Sequence, residues 1–255
     1  MSVEYAPRGL IGVLTPQANT TVEPEFAILL PAGVAAINAR LLSKRPTIEE
    51  RLIEFFDQLD QAIAQFANAP INAIAVACTG ASYLVGTEKE REALRSLGQR
   101  VGAPVFTAAI AVVDALRSIG ARKIGLVSPY PAELTRSSIS YWQEQGFTIA
   151  DVASTESVDN GFHPIYSIAA GQALYALDSI DGSKCDAVLM LGTGMPTLRS
   201  IRERPRLGRA PVMSSTLCLA WRAVTALNNA TPSGEVLLRW VDGLDWGPRL
   251  SERVR

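Results

Sequence analysis

INAIAVACTGASYL, residues 71–84, and CDAVLMLGTGMPTL, residues 185–198, share one outline. Each is a short apolar run, then a turn of small residues, then a stretch compatible with a helix. The turn is Cys78-Thr79-Gly80 in the first and Gly192-Thr193-Gly194 in the second. Apolar runs of this length without polar alternation read as parallel strands buried on both faces. Two further pairs extend the match in the same order. IGVLTPQAN (11–19) pairs with IGLVSPYPA (124–132), and VGAPVFTAAIAVVDAL (101–116) with LGRAPVMSSTLCLAWRAV (207–224). Three ordered matches at offsets of about 107 to 114 residues predict a duplicated unit.

Strands are expected at 9–15, 34–41, 71–77, 104–107, 123–128, 147–152, 186–191 and 211–214. Helical patterns separate them. The clearest runs over 48–67, with apolar positions at Leu52, Phe55, Phe56, Leu59, Ala62 and Ile63, and Thr47 with Glu50 forms a capping box at its start. Strand alternating with helix predicts the α/β class. The repeat predicts two pseudo-symmetric lobes, 1–106 plus 212–255 and 107–211, each a short, mainly parallel sheet flanked by helices. The active site is expected in the cleft between them. Ligands sit beyond the carboxyl ends of parallel strands, so Thr15-Pro16, Cys78-Thr79, Ser128-Pro129 and Gly192-Thr193 should ring one cavity.

Composition removes several function classes. Lys plus Arg number 24 against 25 for Asp plus Glu, which leaves no basic surface for nucleic acid or an anionic membrane. No segment is long and apolar enough to span a bilayer, and the N-terminus has neither a basic region nor an apolar core of signal-peptide type. Three widely spaced cysteines, Cys78, Cys185 and Cys218, read as free thiols of a cytoplasmic protein. No CxxC pair or histidine cluster marks a metal site, and His163 is the one histidine, which excludes two-histidine mechanisms. A dinucleotide fingerprint fails because position 197 is threonine rather than glycine; no Walker A or GxSxG sequence occurs.

Cys78 is the leading candidate for chemistry. It stands where an apolar run meets a helix entry, so the helix dipole is expected to lower its pKa toward thiolate. Small residues from Thr79 and Gly80 onward would let backbone N–H groups hold a carboxylate or enolate oxygen. A buried structural cysteine would look the same in sequence. Gly192, Thr193 and Gly194 form the counterpart cradle. Asn19, close behind Pro16, is either a helix cap or a neutral donor to a carboxylate. Tyr130 either donates its hydroxyl to the same ligand or lines the cleft. Asn160, in VDNGF, is a turn residue or a ligand contact, and His163 flanks a helix. Cys185 and Cys218 fit as core or surface thiols.

TPQANTT (15–21), ACTGAS (77–82), VSPY (127–130) and LGTGMPTL (191–198) together resemble the aspartate/glutamate racemase superfamily, in its branch of maleate cis-trans isomerases and arylmalonate decarboxylases. The resemblance implies a two-lobed enzyme that needs no cofactor and no metal. It implies a small carboxylate or dicarboxylate substrate and an enediolate-like intermediate. Cys78 matches the thiol that attacks the alkene in maleate isomerases. Asn19, Tyr130 and Asn160 match the carboxylate-binding residues; with Pro16, Thr79, Gly80, Gly192, Thr193 and Gly194, read from the strand-end turns, they make up the expected substrate-binding set. Racemases and most isomerases of this group carry a second cysteine from the other lobe, where this chain has Gly192. Arylmalonate decarboxylases keep one cysteine in the second lobe and glycine in the first, the reverse of the arrangement here. Two-base racemisation is therefore disfavoured, whereas conjugate addition and decarboxylation each survive with one thiol. Maleate-type isomerisation with Cys78 as nucleophile is the first expectation. Decarboxylation of an arylmalonate with Cys78 as proton donor is the alternative, and a non-catalytic carboxylate-binding protein the second alternative. A homodimer or higher homo-oligomer is the default assembly.

Overall fold

The structure, a computed structural model, describes residues 3–155 and 164–253. The first half runs β1 (Gly9–Pro16), α1 (Val22–Leu29), β2 (Val34–Leu41), α2 (Ile48–Asp57), α3 (Leu59–Ala64), β3 (Ala73–Val76), α4 (Thr79–Val85), α5 (Thr87–Val101), β4 (Val105–Thr107) and α6 (Ala108–Ser118). The second runs β5 (Lys123–Ser128), α7 (Ala132–Glu144), β6 (Thr148–Ser154), α8 (Ala170–Asp178), β7 (Ala187–Met190), α9 (Leu198–Glu203), β8 (Arg206–Leu207), β9 (Ala210–Ser214) and α10 (Ser215–Leu227). Helices α11 (Gly234–Val241) and α12 (Gly247–Arg253) follow, and single 3-10 turns occupy Pro164–Ser167 and Gly182–Lys184.

The strands form two sheets with one topology. The first has the order β2-β1-β3-β4, all parallel. The second has the order β6-β5-β7-β9, all parallel, with the two-residue β8 added antiparallel to β9. Each step of the sequence repeat thus falls on equivalent strands. Equivalence extends to the caps. Thr107 Oγ1 accepts from Ile110 N at 3.1 Å to start α6, and Ser214 Oγ accepts from Leu217 N at 3.2 Å to start α10. These two helices pack along each other, and an ion pair of 2.7 Å between Arg222 and Asp114 joins them. The boundaries drawn from the repeat, 106/107 and 211/212, fall inside β4 and β9.

Two expectations need correction. Strands β1, β3, β4, β7 and β9 are buried throughout, but β2 and β6 are only partly buried. Both are outer strands with a neighbour on one side only, whereas β4, the other outer strand of the first sheet, is covered by α5, α6 and α10. The single helix expected over 48–67 breaks at Gln58, whose backbone lies at φ −92°, ψ 2°. The apolar periodicity continues through the break, because Phe55, Phe56, Leu59, Ala62 and Ile63 still face the core. The Thr47–Glu50 capping box at the start of α2 is present in both directions. Among the described residues no helix is long and apolar enough to cross a membrane.

Candidate active site

The carboxyl ends of β1, β3, β5 and β7 converge on one cavity. Its volume is about 60 Å³. Pro16, Asn19, Cys78, Thr79, Gly80, Tyr130, Thr193 and Gly194 all line it. Gly192 lies just behind the wall. Asn160 and His163 lie outside the described residues.

Cys78 caps α4 with extended backbone (φ −147°, ψ 102°) and is 4% exposed. The amides of Gly80 and Ala81 point at its sulfur. They lower the thiol's pKa, but burial outweighs them and pushes it up to about 11. The expected depression toward thiolate is therefore corrected. A seven-residue helix supplies a weak dipole, and removing the thiolate from water costs more than two amides return. Gly80 also allows close packing: a Cβ there would stand 2.9 Å from Leu52 Cδ1, so the glycine lets α2 lie directly over the helix entry.

The two halves are bonded to each other around this thiol. Thr79 Oγ1 and Tyr130 OH share a hydrogen bond of 2.7 Å. Thr193 Oγ1 donates to Ala77 O at 2.7 Å, and Asn19 Nδ2 donates to Thr193 Oγ1 at 3.4 Å. Asn19 Oδ1 accepts from Thr21 N (2.8 Å) and Val22 N (3.1 Å), so this side chain fills the capping role read for it. One end caps the entry to α1 and the other faces the cavity. Thr21 Oγ1 donates to Gly194 O at 2.7 Å.

The second turn is not a copy of the first. Gly192 has φ +79°, and α9 begins only at Leu198. A Cβ at 192 would stand 2.8 Å from Ile165 Cδ1, 3.0 Å from Pro129 Cγ and 3.2 Å from Tyr130 OH. The place a second thiol would occupy is filled by these side chains. Tyr166, beside Ile165, presses on Gly194, and burial followed by proximity to the Cys78 thiol holds its hydroxyl neutral. Burial does the same for Tyr130.

Several lining residues were not singled out for this role in the sequence. Ile48, Leu52 and Phe55 come from α2, Leu134 from α7, and Ile165 and Tyr166 from the 3-10 turn. The capping box and apolar stripe predicted α2 but not that it roofs the site. No described lining residue is a lysine, arginine, histidine, aspartate or glutamate. A bound carboxylate would meet amide, hydroxyl and thiol donors only. Cys218 is buried within α10, its thiol pushed up by burial, and Cys185 sits partly exposed just after the 3-10 turn Gly182–Lys184, with Sγ 3.6 Å from Asp181 O. Neither lines the cavity. Among the described residues no group of acidic, histidine and cysteine side chains could hold a metal ion.

Residues 11–237 match the family model described as arylmalonate decarboxylase. Over 241 residues the chain is 29% identical to a maleate isomerase of Geobacillus stearothermophilus, covering 87% of this chain and 92% of that one. A variant of Nocardia farcinica maleate cis-trans isomerase, with one cysteine replaced by serine and a covalently bound succinylcysteine intermediate, superposes with a TM-score of 0.78 at 26% identity. It spans 91% of this chain and 98% of its own. Unliganded arylmalonate decarboxylase shares the fold, with a TM-score of 0.71 at 19% identity over 86% of this chain and 92% of that one.

Proposed function

The chain belongs to the arylmalonate decarboxylase family, and from that premise we propose that it is a maleate-type cis-trans isomerase that needs no cofactor and uses Cys78 as its nucleophile. The observation that carries this reading is the placement of one thiol on the wall of a small cavity whose other polar groups are neutral donors. The maleate isomerases that match over most of this chain favour a four-carbon diacid over an aryl-substituted one.

The steps follow from the groups present. The Cys78 sulfur bonds to one alkene carbon, and the π pair moves into the carboxylate on the other carbon. The thiol proton passes to that same carboxylate, since the described lining residues include no base. The resulting enediolate-like adduct has a single bond between its central carbons and rotates. The proton then returns to sulfur as the C–S bond breaks and the trans alkene forms. Donors on the cavity wall, Asn19 Nδ2 and whichever of the Thr79 and Tyr130 hydroxyls does not donate to the other, stabilise the charge gathered on the carboxylate, while the Thr193 hydroxyl is engaged by Ala77 O. The Nocardia farcinica variant supports the addition step, because it carries a covalently bound succinylcysteine with one cysteine replaced by serine. Asn160 completes the proposed binding set, with Gly192 setting its rear wall.

Decarboxylation of a disubstituted malonate is the second reading. It is favoured by the Cys78 thiol being protonated at neutral pH, as a proton donor must be. Protonation would then come from the face opposite to that used by decarboxylases with a second-lobe cysteine, and the product would have the opposite hand. Incubation with maleate and with phenylmalonate, each followed by proton NMR, separates the two. Fumarate from maleate supports isomerisation. Phenylacetate alone would replace it with decarboxylation.

A further inference from the structure

We infer that Glu25 is a positioning residue for the Cys78 site: from α1 it holds the 193–198 segment of the other half closed over the cavity. This takes the Cys78 cavity as the reaction site, as proposed above. Glu25 is 5% exposed and lies in the first half. Its Oε1 accepts from Thr197 N at 2.6 Å and Leu198 N at 3.2 Å, while Thr197 Oγ1 lies 3.2 and 3.3 Å from its two oxygens. Thr197 Oγ1 in turn donates to Ser214 Oγ at 2.8 Å, and the Thr216 hydroxyl also faces the carboxyl. A side chain of one half thus caps α9 of the other. The near end of the same segment is held by Asn19 on Thr193 and by Thr21 on Gly194. Those are the two residues it presents to the cavity. Glu25 fixes the far end, so the segment is clamped at both.

The clamp carries a proton. Burial, opposed by the two amides and the hydroxyls, pushes the Glu25 carboxyl from its ordinary 4.5 up to about 7. No neighbouring charge contributes to this shift. The ionisable groups on the elements around it are engaged elsewhere or distant from it in chemistry. Glu23 of α1 pairs with Arg40 of β2, Arg199 of α9 with Glu203, and Arg222 of α10 with Asp114. Arg202 of α9 lies beside Gly247, Arg249 of α12 donates to the carbonyls of Ile28 and Leu29, and Cys218 of α10 is neutral. Glu252 and Arg253 at the end of α12 are exposed. Releasing the clamp returns Glu25 to water and to its ordinary value. Closure therefore takes up a proton. It is strongest below pH 4.5, weakens as the pH rises to about 7, and is constant above.

Amide hydrogen exchange reads the clamp without any substrate. After correction for intrinsic exchange, the opening of Thr197 and Leu198 in the wild-type protein should grow at least about tenfold from pH 5 to pH 7. In Glu25→Gln, a neutral side chain of the same shape, it should stay flat and remain protected. Glu25→Ala should lose the protection at every pH, with Gln restoring it. KM for maleate should rise with pH in parallel in the wild type, with a smaller change in kcat, and should be flat in E25Q. A wild-type slope retained in E25Q, or flat exchange in the wild type, overturns the inference. Absence of maleate turnover with the exchange slope intact would count against the proposed reaction and in favour of the clamp.

Discussion

The turns at 78–80 and 192–194 begin from one sequence pattern and end as two different sites. Both follow a buried parallel strand, β3 and β7, in equivalent positions of their sheets. At Cys78 the chain stays extended and enters α4 at the next residue, so the amides of Gly80 and Ala81 fall on the sulfur. At Gly192 the backbone turns left-handed, five residues pass before α9, and Ile165, Pro129 and Tyr130 close on the glycine. The second turn gives backbone and the Thr193 hydroxyl to the cavity, but no acid or base. A duplicated fold has kept its symmetry in the sheets and lost it at the two turns, which makes the proposed chemistry one-sided.

Removing the thiol breaks the comparison outright. Cys78→Ala should lower kcat/KM by at least about 10⁴-fold, the scale for losing a nucleophile. Steady-state turnover measures this, with thermal unfolding to show that the variant folds. The state of the thiol sharpens it. With its pKa pushed up to about 11, the thiolate fraction of Cys78 grows about tenfold per pH unit below that value. Its alkylation by iodoacetamide, read by peptide mass, should therefore rise about 10³-fold between pH 7 and 10. A plateau near pH 7 would restore the depressed thiol expected from the helix dipole.

A third test attacks the closed turn. Gly192→Cys should cost about 2 to 3 kcal/mol of stability in denaturant unfolding, from left-handed backbone strain and overpacking against Ile165. The double variant with Ile165→Ala should recover part of that cost. A stable single variant would mean that the wall yields easily. The smallest effect is expected at the bond that ties the two turns together. Thr79→Val removes the hydrogen bond to Tyr130, worth about 1 kcal/mol, and should raise KM about fivefold.

What could be read from the sequence divides along the same line. The repeat disclosed two similar sheets, because strand burial is written locally in runs such as AIAV and AVLM, whereas their strand order is set by crossovers that leave no local mark. Cys78, Asn19, Tyr130 and Thr193 were legible because strand ends in a parallel sheet must meet at one edge. The walls were not. Ile165 and Tyr166 reach the site from a short 3-10 turn, and Leu52 and Phe55 from a helix whose apolar stripe would serve any core. The break at Gln58 left no trace in the periodicity. The direction of the Cys78 shift is not written around the cysteine, because it depends on burial by distant side chains more than on the helix that follows it. Glu25 is one of two acids in TVEPEF, and nothing local to that stretch distinguishes it from Glu23; only the approach of α9 does.

The central claim is that Cys78 alone forms a covalent bond to the substrate. Its most direct test is acid quench of the enzyme turning over maleate, followed by peptide-resolved mass spectrometry. The expected result is a mass increase of one maleic acid on the peptide that carries Cys78, absent from Cys185, from Cys218 and from the Cys78→Ala protein. Fumarate formation that continues in Cys78→Ala, or an adduct on either of the other two cysteines, would contradict it.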